Sequence, residues 1–89
     1  MAMLLKVNGE CSRFRDLSLT SMQSAVGGWI EFVPLRNGKL LVVSEEGIMQ
    51  GLLPNRVVAE RYGLAIVGDV ILVSPSELDA AGEPVAEEG

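Results

Sequence analysis

The sequence predicts an α+β domain: an antiparallel sheet of four to six short strands, one main helix and one short second helix. Three observations carry this expectation. Short aliphatic and β-branched runs are separated by Asn-Gly and Gly-Asp pairs, the pattern of hairpins and bends. One stretch, residues 18–26, has helical spacing of its apolar positions. A shorter stretch, residues 57–62, follows Pro54-Asn55 and is closed by Gly63.

The elements follow in order. Residues 3–7 are β-prone, and Asn8-Gly9 tolerates the positive φ of a tight turn. Residues 11–17 alternate, with Arg13 and Arg15 on one face, and form the return strand at a sheet edge. Ser18 or Thr20 caps the main helix, and Leu19, Met22 and Val26 line its inward face. Gly27-Gly28 stops it.

Residues 29–35 and 39–44 flank Asn37-Gly38, the strongest local signal in the chain. A two-residue type I′ turn sets Leu35 opposite Leu40, Val33 opposite Val42, Phe32 opposite Val43 and Glu31 opposite Ser44. One face of the ribbon is then Ile30, Phe32, Pro34, Leu41 and Val43. The other is Val33, Leu35, Leu40 and Val42. Both are apolar, so both need cover. The main helix covers one. The second helix is too short to cover the other, so Val33, Leu35, Leu40 and Val42 are expected at the interface of a homodimer. The alternative is that residues 64–73 fold over that face within one chain.

Glu45-Glu46-Gly47 is a turn, residues 48–53 a short extended segment, and residues 64–67 and 70–73 β structure bent at Gly68-Asp69. Residues 1–76 are expected to be one compact domain. Residues 77–89, with Glu77, Asp79, Glu83, Glu87 and Glu88 and no base, are expected to be a disordered acidic tail.

Composition bounds function. The chain has 89 residues and a net charge of −5. That excess lies in the tail, so the body is neutral and lacks the basic footprint of a nucleic-acid binder. The basic-aromatic-basic run Arg13-Phe14-Arg15 is too little to offset this. There is no histidine and one cysteine. This excludes His-based nucleophile pairs, disulfide scaffolds and thiolate metal clusters, and it fits a reducing cytoplasm. Cys11 has Glu10 beside it, the wrong setting for a reactive thiolate. The start of the chain does not read as a signal peptide. The longest uncharged run, residues 17–30, is too short and polar to span a membrane.

Candidate sites are few. Asn55 and Arg56 open the second helix, where free amides and an arginine can take an anion. Asn55 as a helix cap and Arg56 paired with Glu60 is the structural alternative. Trp29 can stack on a nucleotide base or fill the gap between helix end and sheet. Glu45, Glu46 and Asp69 read as solvated turn acids. Glu31, inside an apolar strand, is expected to face an edge or to pair with Arg36 or Arg13.

Four pieces occur in a fixed order: Val26-Gly27-Gly28-Trp29-Ile30-Glu31, Ser44-Glu45-Glu46-Gly47, Gly51-Leu52-Leu53-Pro54-Asn55-Arg56 and Val67-Gly68-Asp69-Val70-Ile71-Leu72. Together they resemble a small phage- and plasmid-borne family catalogued as domain of unknown function 3846. The resemblance implies a helix ending in a Gly-Gly-aromatic step, a hairpin, an Asn-Arg pair after a proline and a closing strand. It implies a mobile genetic element as the setting and brings no activity. The tail after Pro75 is not a feature of that pattern.

The function expected is therefore non-enzymatic: an interaction module acting through protein–protein contacts, as a homodimer or on a host protein. The alternative is capture of a nucleotide or other anion, a host-defence signal for instance, by Asn55, Arg56 and Trp29. No catalytic residue, metal site or cofactor is expected.

Overall fold

Five strands form one antiparallel sheet: β1 (Met3–Leu5), β2 (Cys11–Arg13), β3 (Ile30–Pro34), β4 (Leu40–Ser44) and β5 (Val70–Val73). Their order across the sheet is β2-β1-β5-β4-β3. Three helices accompany them: α1 (Leu19–Val26), α2 (Arg56–Tyr62) and α3 (Pro75–Ala81). The computed structural model describes residues 2–81. The α+β class and the strand number agree with the sequence. The third helix does not, and residues 82–89 of the expected tail lie outside the described residues.

The last strand in sequence is the middle strand in space. All four residues of β5 are buried. A strand covered on both faces reads as an unbroken apolar run, as Val70-Ile71-Leu72-Val73 does. Its side chains alternate between two cores. Ile71 and Val73 join Ala2, Met22, Val26 and Val42 beneath α1. Val70 and Leu72 join Leu5, Leu41, Val43 and Val58 beneath α2. Tyr62, Leu64 and Ile66 pack against this second core, so α2 and the segment after it share the work of covering that face. Apart from the bridge between Pro54 and Val67, residues 48–53 and 64–67 are turns and irregular chain rather than strands.

The hairpin register differs from the expected one by one residue. Ile30 pairs with Ser44, Glu31 with Val43, Phe32 with Val42, Val33 with Leu41 and Pro34 with Leu40. A type I′ turn needs positive φ at both central residues, but no non-glycine residue here has positive φ. Only Gly38 does, at 87°. The loop is therefore three residues, Arg36-Asn37-Gly38. The Gly38 N–H donates to the Leu35 carbonyl at 3.1 Å and the Leu35 N–H to the Lys39 carbonyl at 2.8 Å. A one-residue slip moves each side chain of one strand to the opposite face.

Helix α1 starts and stops where its sequence says. Ser18 Oγ accepts from the Ser21 N–H, and Gly27 ends it in the left-handed conformation. Met22 and Val26 are buried, but Leu19 is 56% exposed. The helix begins at Leu19 itself, so that residue lies at the fraying first turn, off the sheet.

Helix α3 opens on the acid's half of a capping box. The Glu77 carboxylate accepts from both the N–H and the hydroxyl of Ser74 at 2.9 Å. Pro75 occupies the first helical position, where its missing N–H costs nothing. Leu78 then packs against the core beneath α1. The ordered body thus continues past residue 76, into what composition alone describes as a solvated tail.

Candidate interaction site

Asn55 is a structural residue. It is 1% exposed. Its Oδ1 accepts from the Val58 N–H at 3.2 Å and caps α2. Its Nδ2 donates to the carbonyls of Leu5 and Gly68, each at 2.9 Å. Its backbone N–H donates to the Ile66 carbonyl at 2.8 Å. The amide is fully used inside the protein, and no polar group of Asn55 is left for an anion. Arg56 is exposed, and so is Trp29, but Trp29 lies at β3 while Asn55 bonds to β1, three strands away. None of the main grooves among the described residues is lined by any of the three.

The four expected interface residues also separate. Val33 and Leu35 pack against the core beneath α2. Leu40 and Val42 belong to the core beneath α1, with Val42 wholly buried. The one-residue register change is the cause, since it keeps Val33 and Val42 from sharing a face. The face expected from Val33, Leu35, Leu40 and Val42 therefore does not exist, and the apolar residues of the hairpin strands that stay exposed are Phe32 and Pro34.

The turn acids take different roles. Asp69 accepts from the Val7 N–H at 2.9 Å and ties the first hairpin to the bend before β5. Glu45 and Glu46 are exposed. Glu31 is exposed on β3 and makes no ion pair with Arg13 or Arg36. Cys11 is exposed on the other edge strand. Asp16 is held below the usual carboxylate range, first by the Ser21 hydroxyl at 2.6 Å and then by the Ser18 N–H at 3.0 Å. It serves the start of α1.

Two grooves lie on the α2 side along β3. One, of about 190 Å³, has Glu31, Glu45 and Glu46 on its walls beside Val33, Ile48 and Met49. Ser44 also lines it and is 8% exposed, with its Oγ buried and unpartnered among the described residues. The other, of about 660 Å³, is lined by Arg36, Arg61, Tyr62, Pro34, Leu35 and Leu64. The edge is thus acidic at the start of β3 and basic at its end. Sequence reasoning missed this pairing, because Arg36 and Arg61 meet only through the packing of α2 against the hairpin. Among the described residues, no group of three or more acids, cysteines and histidines is placed to hold a metal ion. No helix among them is long and apolar enough to cross a membrane.

Apolar exposure concentrates near the start of β3. Ile48 is 81% and Met49 86% exposed, and Trp29 and Leu53 are about two-thirds exposed. The loop carrying three of them is tied to the fourth, since the Glu45 N–H donates to the Trp29 carbonyl at 2.8 Å. Gln50 also lies beside Gly28, within 3.4 Å of where a Cβ would stand.

These features define a small antiparallel α+β domain, helix-covered on both faces, whose most exposed apolar residues, Trp29, Ile48, Met49 and Leu53, lie on or beside one loop. Residues 1–84 match the family described as Domain of unknown function (DUF3846), and the chain belongs to it. The match is wider than residues 26–72, which carry the resemblance in the sequence, and it takes in the first hairpin and α3. No curated protein and no solved structure matches the chain.

Proposed function

We propose that this chain is a non-enzymatic interaction module that works through protein–protein contact at the end of the sheet bearing Trp29, Ile48, Met49 and Leu53. The observation that carries this reading is the exposure of Ile48 and Met49 on a loop hydrogen-bonded to Trp29. Large apolar side chains left in water at one place are what a partner surface covers. Methionine and tryptophan suit such a surface, one because it adapts and the other because it is broad and rigid. The non-enzymatic part rests on the absence of histidine from the sequence and on the full commitment of Asn55 to structure. The mobile-element setting implied by the resemblance, and a cytoplasmic host protein as partner, complete the reading.

The test is a photo-reactive residue in place of Met49, irradiated in the producing cell. The proposal expects one discrete adduct, lost when Ile48→Glu is added. A thermal-shift panel of nucleotides and phosphate on the purified chain is expected to give no shift. Absence of any adduct, together with a nucleotide shift removed by Arg56→Ala, would replace this reading with an anion-binding one.

A further inference from the structure

β3 is an edge strand and pairs with β4 alone. Two hydrogen bonds show which of its backbone groups are used. The Glu45 N–H donates to the Trp29 carbonyl, and the Leu35 N–H to the Lys39 carbonyl, both at 2.8 Å. In an antiparallel ladder, bonded and unbonded pairs alternate. Trp29, Glu31, Val33 and Leu35 therefore direct their backbone groups to β4. Ile30, Phe32 and Pro34 direct theirs outward. Pro34 has no N–H, and it stands at an outward position, where its own sheet loses nothing. Phe32 is 45% exposed.

We propose that this edge pairs antiparallel with the same edge of a second copy of the chain, about a two-fold axis at Phe32. This interface adjoins the loop around Met49 at Trp29 and Glu45 but does not depend on it. In this register Phe32 exchanges both backbone hydrogen bonds with the partner's Phe32. The Ile30 N–H meets the carbonyl of the partner's Pro34. Glu31 lies beside the partner's Val33.

Glu31 and Pro34 are of the kinds that usually blunt a sheet edge. Here they select one register. Sliding the partner one way sets Glu31 opposite the partner's Glu31, a like-charge pair. Sliding it the other way sets Phe32 opposite the partner's Pro34, so the bond that proline cannot give is lost at the centre of the ladder rather than at its ends, where the Phe32-centred register places Pro34 opposite Ile30. The register centred on Phe32 avoids the like-charge pair and keeps both bonds of its central pair.

Charge supports the same pairing. The two-fold axis brings the loop of the partner's Arg36 alongside Gly28 and Trp29, where Glu45 and Glu46 stand on the acidic groove. The symmetry repeats this contact, so the acidic end of each edge meets the basic end of the other. The Phe32 rings lie next to each other on the α1 side. Pairing consumes the β3 edge, so association closes at two copies.

Sedimentation equilibrium of the full chain from micromolar to near-millimolar concentration tests the proposal. The mass is expected to rise from 9.5 kDa toward twice that value and no further. Phe32→Pro removes an N–H that the chain's own sheet does not use, and association should weaken about tenfold or more. Should that variant fail to fold, charge exchange decides the matter. Arg36→Glu is expected to weaken pairing, and adding Glu45→Arg and Glu46→Arg to restore it. A mass of 9.5 kDa at all concentrations, growth beyond two copies, or a charge exchange that restores nothing overturns the proposal. A Met49 adduct with the mass of two copies belongs to this dimer and an adduct of any other mass does not, so the two readings fail separately.

Discussion

The Asn55 side chain donates to the Leu5 carbonyl at 2.9 Å, tying the start of α2 to β1 across fifty residues of sequence. The same amide reaches the Gly68 carbonyl, so one side chain joins the first strand, the second helix and the bend before the central strand. Asn55→Ala would take a side-chain donor from two carbonyls and leave one helix N–H uncapped. A loss of about 2–4 kcal/mol is expected in urea unfolding. Asn55→Asp should not rescue it, because a carboxylate has no N–H for either carbonyl. A loss under about 0.5 kcal/mol would mean that water replaces the amide.

Arg56→Ala should behave differently. The side chain is exposed and not part of the core. Stability is expected to stay within about 0.5 kcal/mol of the parent.

Leu78→Ala tests the third helix. Leu78 is half-buried against the core beneath α1. About 1 kcal/mol is expected to be lost, and with it about 4–8 °C of melting temperature. An unchanged melting temperature would mean that α3 adds nothing to the body.

Gly38→Val should cost about 1–3 kcal/mol, since Gly38 has φ of 87° and a β-branched residue resists that conformation. Gly38→Asn should cost less, because asparagine tolerates it best among the non-glycine residues. Equal losses in the two variants would argue against a left-handed residue at this position.

Asp16 supplies a pH test. Its folded pKa lies below the ordinary value because the Ser21 hydroxyl and the Ser18 N–H bond its charged form. The stability it contributes is present above the unfolded pKa and is lost as pH falls through the folded one. Carboxyl-carbon NMR should show Asp16 titrating below a free aspartate, and Ser21→Ala should move it back up.

Much of the fold was legible in the sequence because it is local. Ser18, Gly27, Asn55 and Gly63 cap their helices as their residue types suggest. The unbroken apolar run of β5 signals a strand buried on both faces. The Asn37-Gly38 pair locates the hairpin but not its loop length. A two-residue and a three-residue loop both accept glycine at position 38, and the choice rests on whether Asn37 also adopts positive φ. It does not. That single torsion reassigns Val42 from a proposed interface to the core. The capping box of Ser74 and Glu77 was present in the sequence, but the small acidic residues after it outweighed a four-residue signal. The opposed grooves along β3 were not legible at all. They exist only because α2 folds back over the hairpin and brings Arg61 to Arg36.

The central claim is that Val33, Leu35, Leu40 and Val42 turn into the two cores, leaving the β3 edge with Phe32 and the loop around Met49 for contact. Thermal unfolding of Val42→Lys beside Met49→Lys tests it most directly. Val42 is wholly buried and Met49 is 86% exposed. A lysine at position 42 puts an unpaired charge in the core, so no cooperative transition is expected. Met49→Lys should melt within about 2 °C of the parent, a surface change worth under about 0.5 kcal/mol. A Val42→Lys chain that folds with the parent's melting temperature would contradict the account and return Val42 to the surface.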